Sequence, residues 1–257
     1  MKLSSGNCRS AASYLGGAAF ILSASTIMAL AQDTGNRLVT LQGIKSATVA
    51  PNGLAFGALG LSNRRESEGA FFDSADGSLI LGFGLGNASE TVGFQFTANI
   101  TSLTDNFGDS GSFSVKASRQ INGLNTATFV GLSLDSLGAW GDGVLGDETA
   151  TLMLTVFPTA SIGGQTYPLM ITAGYGTNVV DRRSEPGAYV GAGIGLTKNF
   201  GASLAWTGES VTLGTSFRFD ALQNFSFAAS IDDAFDQVDG QRLTVSATYY
   251  FDDIFGG

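Results

Sequence analysis

Histidine is absent from the 257-residue chain, and cysteine occurs once, at Cys8. A nucleophile activated by histidine cannot be assembled, nor can a histidine metal centre. Acidic pairs remain, for instance Asp147-Glu148 and Asp232-Asp233. Acidic pairs in polar stretches are ordinarily solvated and do not form a general acid and base. Asp105, Asp109, Asp142, Asp147, Asp236 and Asp239 are oxygen ligands of the type calcium takes, but no twelve-residue calcium loop is present. Bridging to anionic lipid headgroups is the metal role such loop carboxylates leave open. Gly191, Gly193 and Gly195 lack the helix and lysine of a phosphate loop. They share one side of an extended segment, which suggests a tight bend or the close approach of another backbone. No nucleotide, flavin or haem motif occurs. The expectation is a protein without cofactor, metal or catalytic site.

What the chain does own is a set of polar side chains at alternate positions. From Glu90 to Thr101, Val92, Phe94, Phe96, Ala98 and Ile100 interleave with Gly93, Gln95, Thr97, Asn99 and Thr101. A strand sends alternate side chains to opposite faces, so this is one greasy face and one small polar face. The pattern recurs over Ser112–Ser118, Ser210–Phe219, Asn224–Asp232 and Arg242–Phe251. Parity places Gln95, Asn99, Lys116, Thr151, Arg218, Asp232, Arg242 and Thr244 on the polar side. Most of their neighbours on that side are Gly, Ser, Ala or Thr. If the polar side encloses water, these eight line the interior, and Lys116, Arg218 and Arg242 make it partly positive.

The surroundings of that interior are acidic. The chain has 13 basic and 22 acidic residues, a net charge of −9. Such a surface repels nucleic-acid phosphates. The charged fraction is 14%, and glycine (36) far exceeds proline (4), a composition of strands and tight turns and not of a disordered tail.

Residues 1–31 read as a cleaved signal peptide. Lys2 and Arg9 give a basic start, Tyr14–Leu30 is mostly apolar, and Ala29-Leu30-Ala31 fits the small-x-small cleavage pattern. Elsewhere no run reaches the roughly 18 apolar residues of a spanning helix. Weaker alternation near 53–62, 78–86, 124–134, 149–157, 168–177, 187–197 and 200–207 brings the total to about twelve strands of membrane-spanning length. The predicted fold is all-β, a transmembrane antiparallel up-and-down barrel over 53–251. In lipid only a closed ring satisfies every backbone group of such strands. Short connections (86–89, 120–123, 198–199, 221–223) alternate with longer ones (63–77, 103–110, 135–148, 178–186, 233–240). The exceptions are a tight Gly208-Glu209 and a long 158–168. Residues 32–52 have no sustained period. They are expected to be a periplasmic tail, since termini are commonly loose, or else a short plug entering the lumen. Residues 252–257 form a C-terminal tail.

The closing segment, Leu243-Thr-Val-Ser-Ala-Thr-Tyr-Tyr-Phe251, resembles the last strand of Gram-negative outer-membrane barrel proteins, which alternates and ends in an aromatic residue. The resemblance is generic within porin-like barrels and points to no subfamily. It implies an outer-membrane location, contact with outer-membrane lipid, and recognition by the barrel-insertion machinery through this strand. Asp252–Gly257 follow Phe251, so that signal is not strictly terminal unless Phe255 shares it. Barrel enzymes of this membrane depend on histidine, which is missing here. The function expected is a narrow porin-like channel for small polar or anionic solutes. The alternatives are a non-conducting barrel that serves as a surface scaffold or adhesin through its acidic loops, and a secreted soluble β-sandwich. No feature sets an oligomeric state.

Overall fold

The computed structural model describes residues 37–63, 75–101, 103, 107–121, 123–141, 147–181, 183–238 and 240–255. The segment 1–31, read as a signal peptide, lies outside the described residues. Among the described residues thirteen strands form: β1 (Ala55–Asn63), β2 (Ala75–Gly86), β3 (Gly93–Ile100), β4 (Gly111–Gln120), β5 (Thr128–Trp140), β6 (Thr149–Val156), β7 (Thr159–Ile162), β8 (Gln165–Val180), β9 (Glu185–Gly195), β10 (Phe200–Trp206), β11 (Val211–Phe217), β12 (Phe225–Asp232) and β13 (Arg242–Phe251). All pairings are antiparallel. β1 pairs with β13, and β6 pairs with β8, so the sheet closes on itself. β7 pairs only with the start of β8 and stands outside the ring, which leaves twelve strands in the wall.

Burial is inverted relative to a water-soluble protein. Leu59, Leu81, Leu132, Leu152 and Leu204 are each about half exposed, whereas Ser62, Thr155, Thr172 and Ser216 are completely buried. Phe94 and Phe113, at 41% and 50% exposure, face outward. That disposes of the β-sandwich alternative, in which the greasy faces would be sealed between two sheets. Leaving such side chains in water forgoes roughly 1.5–3 kcal/mol for each that could have been fully buried. The arrangement is stable only with hydrocarbon outside the ring. At the short-turn end, aromatic rings run across three strands: Phe217 stacks on Phe227, Phe225 meets Tyr249 at 4.8 Å, and Tyr249 meets Phe251 at 4.6 Å. Rings at the membrane–water interface favour such a level. Within the C-terminal tail, Ile254 N donates to Gly53 O and Phe255 packs edge-on to Phe83.

Three connections differ from the sequence reading. The 135–148 loop is shortened because β5 continues to Trp140. It does so through an irregular stretch, with register shifts against β4 and positive φ at Ser136 and Gly138. The 178–186 loop shrinks to a turn between Val180 and Glu185. The 158–168 connection is itself a hairpin, β7 and the start of β8, turned by Gly163-Gly164 with both φ positive, the conformation that two-residue hairpins favour.

Residues 37–52, read from the sequence as a tail or a short plug, bond to the inner side of the wall. Leu38 N donates to Thr197 O at the short-turn end of β9. The chain then climbs along β9–β11. The Thr40 and Ser216 hydroxyls share a 2.6 Å hydrogen bond, and Gln42 Nε2 donates to both. Gly43 abuts Thr212, near the long-loop end of β11. The chain crosses the interior and descends the opposite wall, where Ala47 N donates to Thr155 Oγ1 and Ala50 N donates to Gln95 Oε1. It leaves beside β2, with Gly86 N donating to Asn52 Oδ1. Leu41, Ile44 and Ala47 cluster with Met153, Met170 and Tyr189 as an apolar core inside the polar ring. The wall makes room with glycine. A Cβ at Gly193 would collide with the Thr40 carbonyl oxygen, and one at Gly84 with the Ala50 carbonyl oxygen.

Gly193→Val is therefore expected to expel the segment while leaving the ring closed, since overpacking costs about 1–3 kcal/mol and falls on the segment alone. Limited proteolysis should cut near residues 38–50 faster than in the parent, with unchanged migration of the unboiled protein on a denaturing gel. Equal cleavage rates would contradict the packing described.

Candidate lumenal site

The inward positions of successive strands meet in rungs. One rung, read through the pairings, is Gly84, Gln95, Lys116, Ser133, Thr151 and Gly176. Three of the eight side chains expected in the interior, Gln95, Lys116 and Thr151, fall on it. Gln95 is spent on the segment, through Ala50. Lys116 Nζ donates to Ser46 O at 3.4 Å. Thr151 is 2% exposed and lies beside Gly176.

The other five lie at the two ends. Toward the long loops, Asn99 Nδ2 donates to Ser114 Oγ at 3.3 Å. Asp232 and Arg242 face each other in register. Asp232 accepts from Thr212 at 3.1 Å and from Thr244 at 3.4 Å, and the Arg242 guanidinium donates twice to Ser62 Oγ, at 3.0 and 2.7 Å. Toward the short turns, Arg218 lies 6.0 Å from the Tyr250 ring centroid, and its backbone N donates to Asn199 O. The eight positions thus divide into an outer group, a middle rung and a lone cation near the opposite mouth.

The centre of the site escaped the sequence reading. Lys45, at the top of the lumenal segment, donates to Asp135 Oδ2 at 2.5 Å, and Ser133 Oγ donates to the same oxygen at 2.8 Å. Lys116 pairs in register with Ser133, whose hydroxyl is on Asp135, and its Nζ reaches the carbonyl of Ser46, next in the chain to Lys45. Tyr189, 6% exposed, lies across Gly174, where its ring occupies the space a Cβ would need. Its buried hydroxyl has no hydrogen-bond partner among the described residues. Asp135 was legible in principle: Gly131, Ser133 and Asp135 continue the inward parity of β5, opposite Val130, Leu132 and Leu134. Lys45 carried no such signal, because its segment has no period.

At the segment's entrance, Arg37 packs on the Tyr167 ring at 4.6 Å, donates to Gln165 Oε1 at 3.3 Å, and also donates to Leu196 O. The β7–β8 hairpin thereby braces the point where the chain enters. Nearby, Lys198 bonds Asp220 at 2.6 Å, which together with Asn199 holds the Asp220 carboxyl below the ordinary carboxylate range. Among the described residues no group of three His, Cys, Asp or Glu is placed to hold a metal ion. Of the six calcium candidates, Asp105, Asp142 and Asp239 lie outside the described residues.

No family model and no curated protein matches the chain. Solved structures do. A KdgM porin in complex with disordered oligogalacturonate is 12% identical, with 77% of this chain and 99% of that one covered and a TM-score of 0.48. An outer-membrane channel from Pseudomonas putida F1 is 13% identical, with 81% and 99% covered and a TM-score of 0.44. The Acinetobacter baumannii outer-membrane protein Omp33 is 11% identical, with 77% and 97% covered and a TM-score of 0.44. By description they are a porin, an outer-membrane channel and an outer-membrane protein.

Asp135→Ala leaves Lys45 without its carboxylate. Loss of a charged hydrogen bond in this water-accessible setting should weaken the segment's anchorage by about 2 kcal/mol, below the roughly 3–5 kcal/mol of a pair broken in a dry interior. Hydrogen exchange at the amides of residues 44–48 should speed up about thirtyfold. Exchange at the parent rate would show that the pair does not hold the segment.

Proposed function

We propose that this protein is an outer-membrane channel of low conductance, in which a polar lumen narrowed by residues 37–52 passes small polar or anionic solutes. The observation that carries the reading is the enclosed polar face, into which Lys45, paired with Asp135, and Lys116, on the Ser46 carbonyl, bring two cations, in a chain whose net charge is −9. Hydroxyls of Ser and Thr and the surplus positive charge form a passage that tolerates anions, and rings of charge and constrictions are what set selectivity in pores. A twelve-stranded ring lies between barrels filled by their own side chains and open porins. Here the N-terminal segment supplies part of the filling. The absence of histidine from the sequence argues against catalysis of the kinds used by barrel enzymes. The C-terminal strand and its Phe251 are the proposed contact with the insertion machinery.

A second reading rests on the same segment. If residues 37–52 seal the ring completely, the barrel is an anchor and its long loops carry the function.

Refolded protein in a planar bilayer decides between them. The expected result is a small current with a reversal potential displaced toward that of the anion. A variant with residues 38–50 replaced by a short Gly/Ser linker should conduct several times more. No current from the parent and a large one from the variant would overturn the channel and favour the anchor.

A further inference from the structure

The interior of the ring is packed on one side and lined by small polar groups on the other. On the packed side one rung reads Gly131, Met153, Gly174 and Tyr189. Met153 and Tyr189 are almost fully buried and join Leu41, Ile44 and Met170 in the apolar core. Phe129 and Phe157 pack on that core toward the short turns, and Val179 packs on it toward the long loops. Val179 and Val180 of the β8–β9 hairpin also lie against Gly208, in the tight β10–β11 turn, so the hairpin covers this side from outside. Thr172 and Ser216 are sealed here, at 0% exposure. Water does not cross a core of this kind, because an ordered water needs two or more polar partners.

Across the lumen, the rung formed by β12, β13, β1 and β2 reads Ala228, Ser246, Gly60 and Ser78. None of these side chains is larger than serine, so the wall leaves room in front of them. Ser230 and Ser246, with Thr97 and Ser114 on β3 and β4, are only half-buried, although the same residue types are sealed on the packed side. Lys116 follows Ser114 by two residues on the inner face of β4 and is itself half-buried. Toward the short turns the space narrows where Phe56 and Ile80 pack with Ala50 of the segment.

We infer that solute passes through one half of the lumen only, along a hydroxyl-lined track between β12–β13 and β3–β4, and that Lys116 makes this track selective for small hydrated anions. The inference rests on the reading of the barrel as a channel. The N-terminal segment and the core it completes fill the other half, so the segment sets the bore of the passage.

The test uses the full chain carrying Cys8→Ser, which leaves no other thiol, refolded in detergent. Ser230→Cys and Ser246→Cys each place a single thiol on the track; Thr172→Cys and Ser216→Cys each place one on the packed side. Small charged methanethiosulfonates should label the first two about a hundred times faster than the last two, because a sealed thiol reacts only when the structure opens locally. Unboiled migration matching the parent and full labelling in urea qualify each variant, and the second site on either side replaces one that fails to fold. At Ser114→Cys an anionic reagent should react several times faster than a cationic one of similar size, and adding Lys116→Met should abolish that preference. Equal rates on the two sides, or a preference that survives Lys116→Met, overturns the inference. Labelling needs no current. Absence of conductance with the labelling contrast intact ends the channel and leaves a one-sided water-filled recess, whereas conductance with equal labelling rates ends the track and leaves the channel.

Discussion

Everything in this molecule follows from the demand that no backbone N–H or C=O be left unpaired in hydrocarbon. An open sheet would present two bare edges to lipid. The pairings β1–β13 and β6–β8 remove them, the first between residues nearly at opposite ends of the barrel sequence, such as Ala55 and Phe251. Such distant contacts are slow to form because loop closure comes before any reward. Once closed, the ring imposes the two faces. Leu61 opposite Val245 looks outward, while Ser62 opposite Thr244 looks inward. The side chains do not choose lipid or water one by one; the ring assigns all of them at once.

This explains why the wall was legible from the amino-acid order and the contents were not. Alternation over Glu90–Thr101 or Arg242–Phe251 is a local property with period two, and any window of ten residues displays it. The boundaries were less legible where the pattern is broken by backbone irregularity. Asp135 was assigned to a loop because Ser136 and Gly138 interrupt the alternation, although β5 runs on to Trp140. The lumenal segment has no local signature. Its residues Leu41, Ile44 and Ala47 are held by contacts with β6, β8 and β9, more than a hundred residues away, and no period records that. The one hint was indirect: glycines aligned on a single face of β9 suggested a tight bend or the close approach of another backbone, and Thr40 comes close at Gly193.

The segment also changes what the polar face is for. Ring hydroxyls usually meet water, yet Thr155 and Ser216 meet the backbone or side chains of residues 40–47. The lumen is therefore graded. Along β6, β8 and β9 it holds a small apolar core. Toward Lys116 and Asp135 it holds charge. The polar positions that parity singled out sort accordingly: Gln95 secures the segment, Asp232 and Arg242 tie together the outer ends of the strands, and Lys116 is the one that faces the charged centre.

Both ends of residues 37–52 lie at the same mouth, by Thr197 and by Gly86. The chain is looped into the barrel and is not threaded through it. Topologically it is a bight and not a knot, so it can slip out as one piece without a single ladder bond of the cylinder breaking. The molecule accordingly contains two cooperative units of unequal durability, a hoop that opens only with global unfolding and an insert that can exchange on its own.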